Sequence, residues 1–333
     1  MADELPVQRT PKRVVSGMRP TGRMHLGHFH GALKNWIEIS KRADCYFFSA
    51  DWHALTTDYK DPSRIAGSQR EMFADWIAAG LDPERCTLFV QSQVKQHAEL
   101  FLLLGMVTPI GWLERVPTYK ELQEQLREKD LANFGFLGYP ALQTADVAVY
   151  DADAVPVGQD QVSHLEFARE LVRRFNHLYG NVLVEPHAYL TAVPKILGLD
   201  GRKMSKSYGN SIELGEEEES ARKRIMVAVT DPQRKRRTDP GNPEVCPIYY
   251  LHRAYSPEET VAMVDRECRT AGIGCVDCKK TLLVSLLPAL DRHREARGRL
   301  SPAHVDELVR LGTEKARKVA EPVMERVRAA MKL

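Results

Sequence analysis

No stretch of this 333-residue chain is apolar enough to cross a bilayer. Its most apolar run, residues 100–107, falls far short of the roughly 18 residues a span needs. The start, MADELPVQRT, is polar with two acids and has no apolar core of the kind a signal peptide carries. Cysteine is scarce, six residues in all, which excludes a disulfide-dense secreted fold. There is almost no excess of one charge: 47 Lys+Arg stand against 45 Asp+Glu. Internal repeats and low-complexity segments are absent, and the composition excludes collagen and a disordered tail. A cytoplasmic globular protein is expected, long enough for two domains.

A balanced total hides a local imbalance. Residues 222–237 hold seven basic side chains and one acid, a local balance of +6. An acidic run, Glu216 to Glu219, precedes them. Alone, such runs read as solvated helix faces.

The N-terminal half alternates short apolar runs with stretches of helical period. Runs at 13–15, 45–50, 87–90 and 154–157 read as buried strands. Segments 28–41, 62–79 and 161–175 between them read as helices. That alternation implies parallel strands with helices on both faces, and ligands beyond their carboxyl ends. Residues 96–138 look like a helical insertion, with 119–129 rich in Glu, Gln and Leu. Beyond Asn210, helical patterns dominate: 214–229, 257–269, 279–296 and 301–331. The last carries an apolar stripe, Val319, Val323, Val327 and Met331, broken in pattern by Pro322. The fold class is therefore α/β: a doubly wound parallel-sheet, Rossmann-like domain over 1–210 with a helical insertion, then an all-α domain over 211–333.

Two segments carry nucleotide chemistry. In the first, a strand ends at Val15, a Gly-bearing loop follows, and a helix begins near Gly27, giving His25-Leu26-Gly27-His28. Helix N-termini suit phosphates, Gly27 allows close packing, and both histidines can donate to phosphate oxygens. The second is the loop Lys203-Met204-Ser205-Lys206-Ser207, a mobile cationic clamp for a triphosphate and its departing pyrophosphate. Either one alone is also an ordinary turn or an exposed loop.

Together, 175 positions apart, they resemble the two signatures of the class I aminoacyl-tRNA synthetases. The resemblance runs from Val14 to Leu333 and implies two steps. ATP and an amino acid form an aminoacyl-adenylate, and the terminal adenosine of a tRNA then takes the aminoacyl group. It implies ATP with Mg²⁺ as cofactor, Lys203, Lys206, His25 and His28 as catalytic groups, and no general base. It further assigns Arg19, Pro20, Thr21, Gly27, His28, Gly158, Gln159, Asp160, Ile196, Lys203, Met204, Ser205, Lys206 and Ser207 to ATP. Arg19 departs from the family, whose members often have Gln there.

Residues 139–147 and 153–161 look like the tryptophanyl/tyrosyl subgroup, and more like its tryptophanyl branch. Asp146 matches the carboxylate that accepts the indole N–H, a sound pairing because an indole only donates. Tyr139 and Gln161 match the ammonium-binding positions, and His53 lies near the same pocket. Tyrosyl relatives hold their phenol with a second Tyr, and Val15 stands at that place here; an unpartnered phenol oxygen would cost about 1–3 kcal/mol. Gln143, where tryptophanyl enzymes are often apolar, points the other way. The expected partners are L-tryptophan and tRNA(Trp), with no membrane and no DNA; relatives pair as homodimers through the helical insertion. Three rivals remain: tyrosyl specificity, a small-molecule adenylyltransferase, and a non-catalytic iron–sulfur RNA-binding paralogue.

Cys45 sits in a strand pattern and Cys86 just before one, and both read as small buried hydrophobes. Cys246, Cys268, Cys275 and Cys278 form a C-x21-C-x6-C-x2-C set. Four thiolates suit zinc or a [4Fe–4S] cluster. Some bacterial members of the tryptophanyl branch carry such a cluster near the anticodon, with a first gap one residue longer. The resemblance thus implies a [4Fe–4S] cluster, with Zn²⁺ as the alternative, and an anticodon-contacting role for the basic run 222–237.

Overall fold

The computed structural model describes residues 9–116, 132–158, 162–190 and 196–333. Five parallel strands form one sheet: β1 (Arg13–Met18), β2 (Asp44–Ser49), β3 (Cys86–Val90), β4 (Ala154–Val157) and β5 (His187–Leu190). Their order is β3-β2-β1-β4-β5, so the winding reverses beside β1. A crevice opens at such a reversal, beyond the strands' carboxyl ends. β3 is buried throughout and β2 nearly so, which explains their continuous apolar runs. The doubly wound sheet expected from the strand–helix alternation is the observed one, and the C-terminal region is helical.

Helix α1 covers residues 26–39 and includes a π-helical turn, Phe29–Leu33. It is followed by α2 (Asp51–Asp58), α3 (Ile65–Ala78) and α4 (Gln96–Gly105). Of the expected insertion, α4 and the short turns Ile110–Leu113 and Phe134–Leu137 are helical. The Glu/Gln/Leu-rich stretch 119–129 lies outside the described residues. Helices α5 (Tyr139–Ala148) and α6 (Val162–Tyr179) complete the sheet's cover. The C-terminal helices are α7 (Glu218–Val227), α8 (Pro247–Tyr255), α9 (Glu258–Arg269), α10 (Cys275–Gly298) and α11 (Pro302–Met331).

Two expectations need correcting at their ends. The helix expected over 214–229 spans only Glu218–Val227, because Glu213–Glu216 turn back onto each other. The helix expected from 279 starts four residues earlier, so Cys275 and Cys278 lie one turn apart at its N-terminus. Pro322 does not break α11. The proline faces solvent, while Val323, Met324 and Val327 stay buried.

The C-terminal helices close the sheet domain. One apolar cluster joins Val14, Phe47 and Leu88 of the sheet to Leu282, Leu286 and Val305 of α10 and α11. A second places Val323 and Val327 of α11 with Val15 and Phe89. Gly312 of α11 lies so close to β3 that a Cβ would run into the Leu88 carbonyl. Asp75, buried on α3, accepts from the Met24 N–H at 2.6 Å, from His293 Nε2 at 3.1 Å, and from Arg297. No helix among the described residues is long and apolar enough to cross a membrane.

Candidate active site

The segments 25–28 and 203–207, both expected to handle a nucleotide, meet at the sheet's carboxyl edge. Gly17, next to the end of β1, has no Cβ, and the Phe48 ring occupies that space. His25 caps the first turn of α1, its Nδ1 3.3 Å from the His28 N–H. The two imidazoles stack with centroids 3.6 Å apart. Burial, reinforced by Lys206, lowers His25 to about 4. Burial, with His25, Lys206 and Lys203 adding repulsion, lowers His28 to about 3. Both rings are therefore neutral near pH 7.

Against them lies the lysine–serine loop. Lys206 Nζ donates to the Thr21 carbonyl at 2.9 Å, and the Gly27 N–H meets Met204 Sδ at 3.3 Å. Backbone bonds Leu26 N to Ile212 O (2.9 Å) and Leu214 N to Met24 O (2.8 Å) stitch the flanks together. Asn210, which sequence reading missed, shapes the loop. Its Oδ1 accepts from the Ser205 N–H at 2.8 Å, and its Nδ2 donates to Asp200 Oδ1 at 2.7 Å and Lys203 O at 3.1 Å. Ser205 and Ser207 share a hydrogen bond of 2.8 Å. Arg224 of the basic run donates to the Gly209 and Ser211 carbonyls, so it serves this loop.

Beside the clasp, a cavity of about 420 Å³ runs from Arg19 and Gly31 down to Asp146. Val15, His53, Tyr139, Gln143 and Gly158 share its walls. Pro20 is buried and Thr21 exposed on the rim loop. Arg19 donates to Thr57 and to the Ala54 carbonyl, the latter at 3.3 Å. Ile196 packs half-buried against the core. Gln159, Asp160 and Gln161 lie outside the described residues.

Asp146 is the only carboxylate among the residues lining this cavity in the described structure. Its Oδ2 is 2.8 Å from His53 Nε2. Burial alone would raise its carboxyl, but hydrogen bonds from His53 and His97 outweigh burial and hold it at about 2. The cavity thus ends in a fixed negative charge. His97, Gln91 and Tyr150 around that charge were not singled out in the sequence. None carries a motif, and His97 lies within an apolar helical run.

The four C-terminal cysteines line one small enclosed space with Asp231, Arg234 and Ile248. Burial first, then the other three cysteines, pushes Cys278 up to about 12. Arg234 approaches Cys275 Sγ at 3.8 Å. Gly241 has no room for a side chain because Cys268 Sγ would be 2.7 Å from its Cβ. Among the described residues, no three His, Cys, Asp or Glu side chains are grouped to hold a single metal ion. Cys45 and Cys86 are buried opposite each other on β2 and β3. In the basic run, Arg222 and Lys223 pair with Glu218 and Glu219, while Lys235, Arg236 and Arg237 are exposed.

Residues 8–288 match the family model described as tRNA synthetases class I (W and Y). A tryptophan–tRNA ligase of Thermotoga maritima is 50% identical over 96% of this chain and 99% of its own. One from Ralstonia nicotianae is 43% identical, over 97% and 99%. The structure of tryptophanyl-tRNA synthetase from Campylobacter jejuni, complexed with ADP and tryptophan, superposes with a TM-score of 0.85. It is 30% identical and covers 96% of this chain and all of that one.

Proposed function

This chain belongs to the class I tRNA synthetases of the tryptophan and tyrosine family, and on that premise we infer that it is the ligase joining tryptophan to its tRNA. The observation that carries the reading is the single cavity that opens beside the clasped signature loops and ends on the Asp146 carboxylate. An indole nitrogen carries a hydrogen at pH 7, and a buried carboxylate is the acceptor it needs. A tyrosine phenol beside Val15 would lack its second partner.

In the reaction, the tryptophan carboxylate attacks the α-phosphorus of ATP, and pyrophosphate leaves. A terminal ribose hydroxyl of tRNA then attacks the adenylate's carbonyl, and AMP leaves. Tyr139 and Gln161 hold the ammonium, Asp146 takes the indole N–H, and His53 borders the ring. The loop 19–21, Gly27, His28, Gly158, Gln159, Asp160 and Ile196 cradle the nucleotide. Lys203 and Lys206 neutralise the phosphates with the magnesium that arrives on ATP, aided by Met204, Ser205 and Ser207 of the same loop. Neutral His25 and His28 donate hydrogen bonds without adding charge. Catalysis is electrostatic: the chain orients the attacking carboxylate and stabilises the departing phosphates.

Amino-acid-dependent exchange of pyrophosphate into ATP tests the assignment. Tryptophan should drive it and tyrosine should not; exchange with tyrosine alone would overturn the choice. Asp146→Ala should raise the tryptophan KM by about 100-fold or more, since a buried charged acceptor is lost. Unchanged kinetics would remove Asp146 from the pocket.

The shared lining of one small space by four cysteines supports reading them as ligands of a [4Fe–4S] cluster. Four thiols face one enclosed space, and Gly241 leaves room beside Cys268. Cys246, Cys268, Cys275 and Cys278 would hold it, and the bound group would tie α8, α9 and α10 together; zinc is the alternative. Exposed Lys235, Arg236 and Arg237 nearby suit tRNA phosphates in an anticodon-binding region beyond residue 210. A homodimer through the insertion is supported by Leu102, Met106, Ile110 and Phe134, each more than half exposed at 58%, 69%, 66% and 72%. Sedimentation should give a mass twice that of the chain; a monomer at micromolar concentration would reject the dimer.

A further inference from the structure

Behind the cavity wall, Asp146 is gripped by side chains that do not line the cavity. Its Oδ1 lies 2.7 Å from Gln91 Nε2 and 2.7 Å from His97 Nδ1. Gln91 Oε1 takes the Trp52 N–H at 3.1 Å, which fixes the amide so that its nitrogen faces Asp146. An ionised carboxylate only accepts, so His97 Nδ1 carries the hydrogen. His97 Nε2 is 2.7 Å from the Tyr150 hydroxyl, which donates to it. Burial, with the Asp146 charge adding to it, keeps Tyr150 protonated. His97 and Tyr150 are both fully buried, packed against each other and against Phe89.

The chain Tyr150 O–H to His97 to Asp146 is thus directional, and every polar atom of the His97 ring is used. Two donors saturate Oδ1. Oδ2, which among the described residues meets His53 at the cavity wall, is the oxygen left to meet a ligand. Removing the Oδ1 donors would free the carboxylate to rotate, and its charge would be less well stabilised.

We propose that His97, oriented by Tyr150, is a positioning residue that aims the Asp146 carboxylate and so sets the enzyme's preference for a ring N–H donor. The proposal rests on the reading of Asp146 as the indole acceptor. It assigns part of the substrate selectivity to two residues that do not touch the substrate.

The test compares kcat/KM in pyrophosphate exchange for L-tryptophan and for the analogue with sulfur in place of the ring N–H. His97→Leu should cut the preference for tryptophan about 10- to 100-fold, through KM for tryptophan and with kcat little changed. KM for the sulfur analogue should stay put. His97→Asn, whose amide nitrogen stands near the Nδ1 position, should return most of the preference. Should His97→Leu fail to fold, Tyr150→Phe carries the test, with a loss of about threefold or more expected. An unchanged preference in a folded variant, or equal losses on both substrates, overturns the proposal. Asp146→Asn separates the two levels. If it abolishes the preference while His97→Leu does not, only this proposal falls; if it leaves the preference intact, the indole reading falls with it.

Discussion

Lys206 and Asp75 each join parts of the chain that are far apart in sequence, and each gives a single-residue prediction. On the proposed reading, Lys206→Ala removes an ammonium from the phosphate-facing loop but nothing from the Asp146 pocket. Adenylate formation should slow by about 100-fold or more, while tryptophan binding measured by calorimetry stays within about twofold. Weakened tryptophan binding would refute that separation. Asp75→Ala takes the acceptor from the buried Met24 N–H and from His293 Nε2, and leaves the Arg297 guanidinium with Glu71 as its remaining partner. It should destabilise the fold by about 3–5 kcal/mol in urea titration. The histidines give a pH dependence. His25 and His28 bind protons in the unfolded chain near 6.5 but in the folded chain only near 4 and 3. Below about pH 6.5 the unfolded state therefore takes up more protons, and stability falls as the pH falls. Asp146, held near 2, adds a loss of the same sign below its ordinary value of 3.8. Urea midpoints should be level above pH 7 and decline from pH 6 to pH 4; a rise over that window would contradict the neutral, buried imidazoles.

Among elements, α11 is the most informative. Gly312 lets it lie directly on β3, so Gly312→Ala should lower stability by about 1–3 kcal/mol, read as a lower melting temperature. Pro322 acts in the opposite sense: it is exposed and costs the helix a hydrogen bond. Pro322→Ala should stabilise by about 1–3 kcal/mol. The same helix shows what was legible in advance. Its Val319-Val323-Val327 stripe has the period of an amphipathic helix, and that pattern survives whatever the helix packs on. Helix α5 and strand β5 were not legible. All of α5 from Pro140 to Ala148 except Gln143 is buried, so no polar face marks its period. Strand β5 is a half-exposed edge of four residues, too short and mixed for a period of two to stand out. The two signature loops were legible because each is a local string. The ring of Gln91, His97 and Tyr150 around Asp146 was not, because it forms only when three separate elements meet.

At the scale of the whole molecule, shared apolar clusters join the sheet to the C-terminal helices. With the proposed cluster in place, Cys275→Ser should abolish brown absorbance in anaerobically purified protein and lower its melting temperature. Colourless wild type containing zinc would replace the cluster with the other metal. The apolar clusters that bridge residue 210 reach further. A fragment ending near Asn210 would bare the flank of β3 and leave Asp75 without Arg297, so it should not fold as a unit of its own. Heat should melt the full chain in one calorimetric transition, and proteolysis should fail to release a stable amino-terminal piece.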